Sequence, residues 1–318
     1  MNKIAFLLIA VASFLGLNSC NQSGEQKNFP NIIFIMVDDL GKEWISCYGA
    51  EDISTPSIDQ MATDGMKFHN AWSMPQCTPT RVTLLTGKYP WKTGWVNHWD
   101  VPRWGHGYFD WKHHKTFATY MKQAGYKTAA AGKWQINDFR LTPDAMAKHG
   151  FDDWCMWTGY EEGVPASKER YWDAYIHTRE GSKTYLGEFG TDVFTRFLVN
   201  FMRKNKDDPM MIYYPLALTH GPLTTTPDDR EVTGKDRHKS MVRYTDKQVG
   251  ILLNELQNLG IADNTMVIFT TDNGSSRGIT GLMNGRQIEG AKGMKSEAGV
   301  CEPFIVKWPT EIAPNSET

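Results

Sequence analysis

Hydrophobic and polar positions alternate along this chain in two recurring patterns. From Asn31 to Val37 the residues NIIFIMV form a continuous apolar run that stops abruptly at Asp38-Asp39. An apolar run of that length without polar interruptions predicts a strand covered on both faces, as in a parallel sheet. Ser57 to Gly65 shows the second pattern, a short amphipathic helix with Ile58, Met61 and Ala62 turned inward and Gly65 as its stop. A unit of helix, turn, buried strand and polar residue then repeats. Thr116 to Gln123 predicts a helix with Phe117, Tyr120 and Met121 inward, followed by a strand over Lys127 to Ala131 that ends at Gly132-Lys133. Asp192 to Arg203 carries Val193, Phe194, Phe197, Leu198 and Phe201 at helical spacing, and Met210 to Leu218 is an apolar strand ending at Thr219-His220. Met241 to Leu259 places Thr245, Val249, Leu252, Leu253, Leu256 and Leu259 on one stripe, and Met266 to Thr271 is a strand ending at Asp272-Asn273.

Such alternation predicts an α/β protein with a mostly parallel central sheet and helices on both faces. In sheets of this kind ligands bind beyond the carboxyl ends of the strands. The polar residues at those ends are Asp38, Asp39, Lys133, His220, Asp272 and Asn273. Taken singly, each reads as a loop or cap residue, but together they bring carboxylates, a lysine and a histidine to one edge.

One stretch stands outside the repeat. Met74 to Pro90 reads MPQCTPTRVTLLTGKYP. Pro79 is pre-set for a first helical turn, which places Cys77 at a helix N-terminus where unpaired amides favour anions. Arg81 lies four residues on, one turn away on the same face. For a cysteine by itself the plain reading is a small buried hydrophobe.

Composition narrows the class. The chain has 318 residues, 41% hydrophobic and 22% charged, with a net charge of -2. That is a globular composition, and with no basic block it gives no sign of a nucleic-acid surface. Met1 to Cys20 holds Lys3, an apolar run from Ile4 to Leu17, and Asn18-Ser19-Cys20, which reads as a secretory signal too short to span a membrane. Ending at Cys20, it resembles a bacterial lipoprotein signal whose cysteine is lipidated; plain secretion is the alternative. Residues 21 to 29 then form a short polar tether to a catalytic domain over residues 30 to 318. The expected location is the periplasm or cell surface, with a lipid anchor in the outer membrane of a Gram-negative bacterium. Cys47, Cys77, Cys155 and Cys301 allow two disulfides, but a chain of this size needs no staples and the spacings are irregular.

Asp38, Asp39, Asp272 and Asn273 offer only oxygen donors, which suits a hard divalent cation such as Ca2+ or Mg2+ and disfavours zinc. Arg81, Lys133 and Lys292 around such an ion would form an oxyanion pocket. His220, of a residue type that titrates near neutrality, suits protonation of a leaving group. These residues point to hydrolysis of an anionic ester at a metal site and leave open whether the ester carries sulfur or phosphorus.

The motif Cys-x-Pro-x-Arg at Cys77 to Arg81, followed by Leu84-Leu85-Thr86-Gly87, resembles that of the type I sulfatases of the alkaline phosphatase superfamily. Supporting matches are Asn31 to Asp39, Thr55-Pro56 through Asp59, Gly132-Lys133-Trp134, His220-Gly221-Pro222, Asp263-Asn264 through Asp272-Asn273-Gly274, and Lys292-Gly293 through Pro303-Phe304. The resemblance runs from about Pro30 to Thr318. It implies an alkaline-phosphatase-like sandwich, and a C-terminal subdomain lying beyond the end of this sequence. It further implies that a formylglycine-generating maturation enzyme oxidises Cys77 to formylglycine. Asp38, Asp39, Asp272 and Asn273 would then hold the metal together with the residue at Cys77. Arg81 would support the formylglycine, Lys133 and Lys292 would hold sulfate, and His220 would protonate the departing alcohol. Thr80 stands where the family more often has Ser or Ala. Gln135 stands where it commonly has His, so Gln135 is expected at the substrate and another base, His98 or water, in aldehyde regeneration.

Nine of the twelve tryptophans fall between Trp91 and Trp172. They are suited equally to stacking on a sulfated sugar and to packing long loops. Two other readings stand beside the sulfatase: a phosphonate monoester or phosphodiester hydrolase of the same superfamily, and a sulfated-glycan-binding lipoprotein without turnover.

Overall fold

The computed structural model describes residues 29–99, 101, 108–159 and 170–318. The expected signal, the tether up to residue 28 and Cys20 lie outside the described residues, as does Trp104. Strand β1 (Asn31–Val37) follows the predicted bounds and is buried along nearly its whole length. The other strands are β2 (Met66–Trp72), β3 (Lys127–Lys133), β4 (Asp153–Trp157), β5 (Tyr175–Thr178), β6 (Gly181–Thr184), β7 (Met210–Pro215), β8 (Thr265–Thr271), β9 (Thr280–Met283), β10 (Arg286–Glu289), β11 (Cys301–Lys307) and β12 (Ser316–Glu317). Ten of them form one sheet in the order β12-β2-β11-β8-β1-β7-β3-β4-β5-β6, and β9 pairs with β10 separately. The centre, β8-β1-β7-β3-β4, is parallel as predicted. Antiparallel pairings flank it: β11 with β8 and β2 on one side, β4 with β5 and β5 with β6 on the other.

Alternate residues of the central strands enter two cores. Ile33, Ile35 and Val37 face one side of β1 with Ala129 and Ala131, Ile212 and Tyr214, and Val267 and Phe269. Phe34 and Met36 face the other with Ala130, Met211 and Tyr213. The first layer is closed by α1 (Pro56–Thr63) and two long helices, α4 (Gly190–Asn205) and α5 (Asp236–Asn258). The second is closed by α2 (Cys77–Thr86) and α3 (Phe117–Gln123) through Val82, Leu85 and Ala118. At roughly 1.5–3 kcal/mol per fully buried large apolar side chain, these layers supply the main driving force for the fold.

Local chemistry sets the helix ends. Thr55 makes no side-chain cap for α1, but the Asp246 carboxylate of α5 accepts from the amides of Ser57 (3.2 Å) and Ile58 (2.8 Å). A carboxylate at a helix N-terminus complements the dipole and here ties α1 to α5. Thr116 caps α3, accepting from the Thr119 amide. Three sequence expectations need correction. Tyr120 is 59% exposed, because α3 turns Ala118 inward and only half-buries Phe117 and Met121. Strand β7 ends at Pro215, so Leu216 to Leu218 belong to the loop that delivers His220. Strand β3 continues past Ala131 to Lys133 itself. Among the described residues no helix is long and apolar enough to cross a membrane.

Candidate active site

The register of the central strands fixes who meets whom. Val37 sits opposite Thr271, so Asp38 and Asp272 leave adjacent parallel strands side by side. The backbone continues the pairing beyond the strand ends: Asp272 N donates to Val37 O (3.0 Å) and Asp38 N to Leu218 O (2.8 Å). Asp39 turns back with φ 61, in the left-handed region, and its amide donates to Asp272 Oδ1 (3.2 Å). A non-glycine residue held there costs on the order of 1–3 kcal/mol, and such strain collects at functional sites. Gly132 lies against Pro215 so closely that a Cβ would stand 2.0 Å from that residue's carbonyl oxygen, at φ +122. Only glycine fits between β3 and β7 there, and Lys133 follows at once.

Helix α2 begins at Cys77, as its proline predicts, with Gln76 as an extended N-cap that makes no side-chain cap. Thr80 anchors this turn, its hydroxyl donating to Met74 O (3.1 Å) or Gln76 O (3.0 Å), and Gly87 at φ 64 ends the helix. Cys77 is fully buried and its Sγ lies 3.3 Å from His98 Nδ1. Ligand atoms of Cys77, Asp38 and Asp272 all fall within 4.8 Å of one another, as do those of Asp38, Asp39 and His220. Cys47, Cys77, Cys155 and Cys301 are free thiols, against a two-disulfide arrangement.

Around these acids the structure gathers the predicted cations. Arg81, 1% exposed, places Nη2 2.7 Å from Asp272 Oδ2 and 3.6 Å from Asp38 Oδ1, while Nη1 donates to Lys133 O at 3.1 Å. Lys133 Nζ is 2.6 Å from Asp38 Oδ2. Lys292 Nζ is 2.6 Å from Asp39 Oδ1 and 2.7 Å from its Oδ2. His220 Nε2 stands 3.7 Å from Asp39 Oδ2. Asn273 Nδ2 donates to Asp39 Oδ1 (2.8 Å). Gln135 is buried at φ 70, with Oε1 lacking a hydrogen-bond partner.

Burial raises every carboxylate here, and neighbouring charge then separates them. Lys133, His220, Arg81 and Lys292 together overcome burial at Asp38 and hold it well below the usual range. Asp272 moves the other way, well above its ordinary value, through burial and the adjacent Asp38, with Arg81 opposing. Burial, assisted by Arg170 and Lys133 and opposed by Asp39, pushes His220 down to about 3, so it is a neutral imidazole at neutral pH. Each buried ion costs several kcal/mol to desolvate. A cluster of this kind is therefore explained better by binding and chemistry than by stability.

The donor set fits a hard divalent cation. Asp38 Oδ1 and Asn273 Oδ1 are buried without a hydrogen-bond partner, and Asp38, Asp39, Asp272 and Asn273 contribute oxygen only. Two neighbours escaped the sequence reading. Ser276 Oγ donates to Asp39 Oδ2 at 2.9 Å; its only signal was its place just after Asp272-Asn273. Arg170 Nη1 is 2.6 Å from His220 Nδ1, and nothing in its aromatic, charged surroundings marks it out. The tryptophans divide. Trp95, Trp134, Trp154 and Trp157 are buried packing residues, whereas Trp91 is 67% exposed and stacked on Tyr89 with centroids 4.4 Å apart.

Comparison with known proteins agrees with this geometry. The Sulfatase family model matches residues 30–318. N-acetylgalactosamine-6-O-sulfatase of Bacteroides thetaiotaomicron is 28% identical over all of this chain and 76% of its own length. N-acetylgalactosamine-6-sulfatase of Rattus norvegicus is 31% identical over 96% of this chain, which spans 61% of the rat enzyme. Among solved structures, Ps i-CgsB superposes with a TM-score of 0.77 at 27% identity, over 91% of this chain and 68% of that one. The phosphonate monoester hydrolase of Agrobacterium radiobacter shares the fold, with a TM-score of 0.61 at 15% identity over 91% of this chain and 70% of that one. The motifs, the parallel sheet with its acid-bearing edge, and the family match over residues 30–318 converge: the chain belongs to the sulfatase family of the alkaline phosphatase superfamily.

Proposed function

We propose that the protein is a sulfuric ester hydrolase that releases inorganic sulfate from a sulfated saccharide, with Cys77 converted to formylglycine. The observation that carries this reading is the cluster of Cys77, Asp38 and Asp272 ligand atoms within 4.8 Å, bordered by Arg81 and Lys133. Asp38, Asp39, Asp272 and Asn273 would hold a divalent cation, Ca2+ before Mg2+, which when bound supplies positive charge to the nucleophile and the sulfate oxygens. Formylglycine at position 77, as its hydrate, would supply one hydroxyl to attack sulfur and a second whose deprotonation would expel sulfate and restore the aldehyde.

The remaining tasks fall to the chain's own side chains. Lys133 and Lys292 now neutralise Asp38 and Asp39. With a divalent ion bound in that role, Lys133 and Lys292 would be left as two ammonium groups to hold sulfate as point charges. Arg81 keeps the Cys77 side of the cluster positive through its contact with Asp272. His220 faces the leaving alcohol; the negative charge of bound sulfate raises its proton affinity, against the burial that lowers it. Gln135 hydrogen-bonds substrate but takes no proton at neutral pH, so the second deprotonation falls to His98, 3.3 Å from Cys77 Sγ.

The names of the bacterial and rat relatives favour a 6-sulfated N-acetylgalactosamine residue as substrate. The N-terminal signal supports export, lipidation at Cys20 and a periplasmic or surface location, and Cys77 calls for a formylglycine-generating partner. Sulfate release from a panel of sulfated saccharides, and rates on paired aryl sulfate and aryl phosphate esters, test the reading with formylglycine-bearing protein. Free sulfate from a 6-sulfated amino sugar, and a sulfate rate above the phosphate rate, are expected. A faster phosphate or phosphonate ester would replace it with the hydrolase of phosphorus esters, and glycan binding without sulfate release with a non-catalytic binder.

A further inference from the structure

Arg170 lies outside every motif that defines the site, yet it is 3% exposed and reaches directly into it. Its Nη1 stands 2.6 Å from His220 Nδ1, and its guanidinium lies over the Trp157 ring, 4.4 Å from the centroid. The next residue grips the same loop from behind: Tyr171 Oη donates to Ala217 O at 2.8 Å or to His220 O at 2.5 Å. Desolvating a guanidinium this deeply is costly, so its position calls for a reason beyond stability.

We propose that Arg170 is a positioning residue that fixes the tautomer and orientation of His220. Guanidinium nitrogens donate and do not accept, so Nδ1 facing Arg170 must offer its lone pair. The ring proton then sits on Nε2, the nitrogen that faces the Asp39 side of the pocket at 3.7 Å. Gly221 O is also 2.6 Å from Nδ1 and competes for a proton there, but that tautomer would aim an N–H at a permanent cation. Arg170 thus acts through His220, and its benefit is confined to the step in which the leaving oxygen needs an N–H donor.

The inference rests on the sulfatase reading for its kinetic consequence, and its structural half is tested without it. Nitrogen NMR of wild-type protein labelled at histidine is expected to show His220 with an unprotonated Nδ1 and a protonated Nε2; the reverse tautomer overturns the proposal even if no sulfate is ever released. Kinetically, R170M is expected to lose about 10- to 100-fold in kcat on a sugar sulfate, whose alcohol leaves poorly, and no more than about 3-fold on 4-nitrophenyl sulfate, whose leaving group needs no acid. R170K, which keeps a donor, should recover part of the loss. In an H220A background R170M should cost nothing further. Equal losses on both esters, or a full additional loss in H220A, would show a general structural role and overturn the assignment.

Discussion

Replacing Lys133 with methionine separates charge neutralisation from packing. Lys133 is 1% exposed and its Nζ is 2.6 Å from Asp38 Oδ2, itself fully buried. Methionine conserves most of the volume and deletes the ammonium, leaving Asp38 with Arg81 at 3.6 Å as its nearest cation. Breaking one side of a buried pair costs about 3–5 kcal/mol. For a domain of this size, about 2 °C of Tm per kcal/mol is expected, which gives a fall of roughly 6–10 °C in a metal-free buffer. A divalent ion bound beside Asp38 would supply the missing charge: at a hundred times its Kd, it would return about 2.7 kcal/mol. Lys133 occupies Asp38 Oδ2 in the wild type and would compete with such an ion, so Ca2+ should raise the Tm of K133M more than that of the parent. Differential scanning calorimetry with chelator and with Ca2+ measures both shifts. A K133M Tm within about 1 °C of wild type, or identical Ca2+ shifts in the two proteins, would refute the charge-balance reasoning.

Other substitutions probe separate parts of the account. Glu302 is 2% exposed and burial, above all, raises it well above its ordinary value despite the Thr271 hydroxyl. The folded state therefore holds this proton more tightly than the unfolded chain. Wild-type stability falls as pH rises above the unfolded carboxyl value of about 4.3, and E302Q should lose that decline, read as a denaturant midpoint that gains on wild type toward neutral pH. G132A sets a Cβ 2.0 Å from Pro215 O at φ +122 and should destabilise the β3–β7 seam by more than about 1–2 kcal/mol, with thermal melting as the readout. Chelation of divalent ions should abolish sulfate release by wild type, and Ca2+ should restore it.

Much of the central sheet was legible because its strands are continuous apolar runs with sharply polar ends. Asn31 to Val37 needs no context to read as a buried strand, and its register with Thr265 to Thr271 carries Asp38 and Asp272 to the same edge. The antiparallel flanks were not legible. Strand β2, MKFHNAW, is only half-buried and mixes polar with apolar residues, and β6, GSKT, is an exposed polar hairpin arm. Their pairing depends on neighbours distant in sequence. Tyr120 was misplaced because helical spacing does not say which side of a short helix meets the sheet. At the site, residues in motifs with fixed spacing were found, while Arg170 was not. Its contact with His220 joins two loops fifty positions apart, and only the folded chain brings them together.

The most direct measurement is a titration of activity against modification at Cys77. Preparations made with graded amounts of a formylglycine-generating enzyme are digested, and the fraction of Cys77 peptide carrying the aldehyde is quantified by mass spectrometry. Sulfate release is then measured on the same preparations from one 6-sulfated amino sugar. The rate is expected to be proportional to the aldehyde fraction, falling to background when Cys77 remains a thiol and in C77A. Sulfate release from protein whose Cys77 is entirely unmodified, or none from fully converted protein across the saccharide panel, would contradict it.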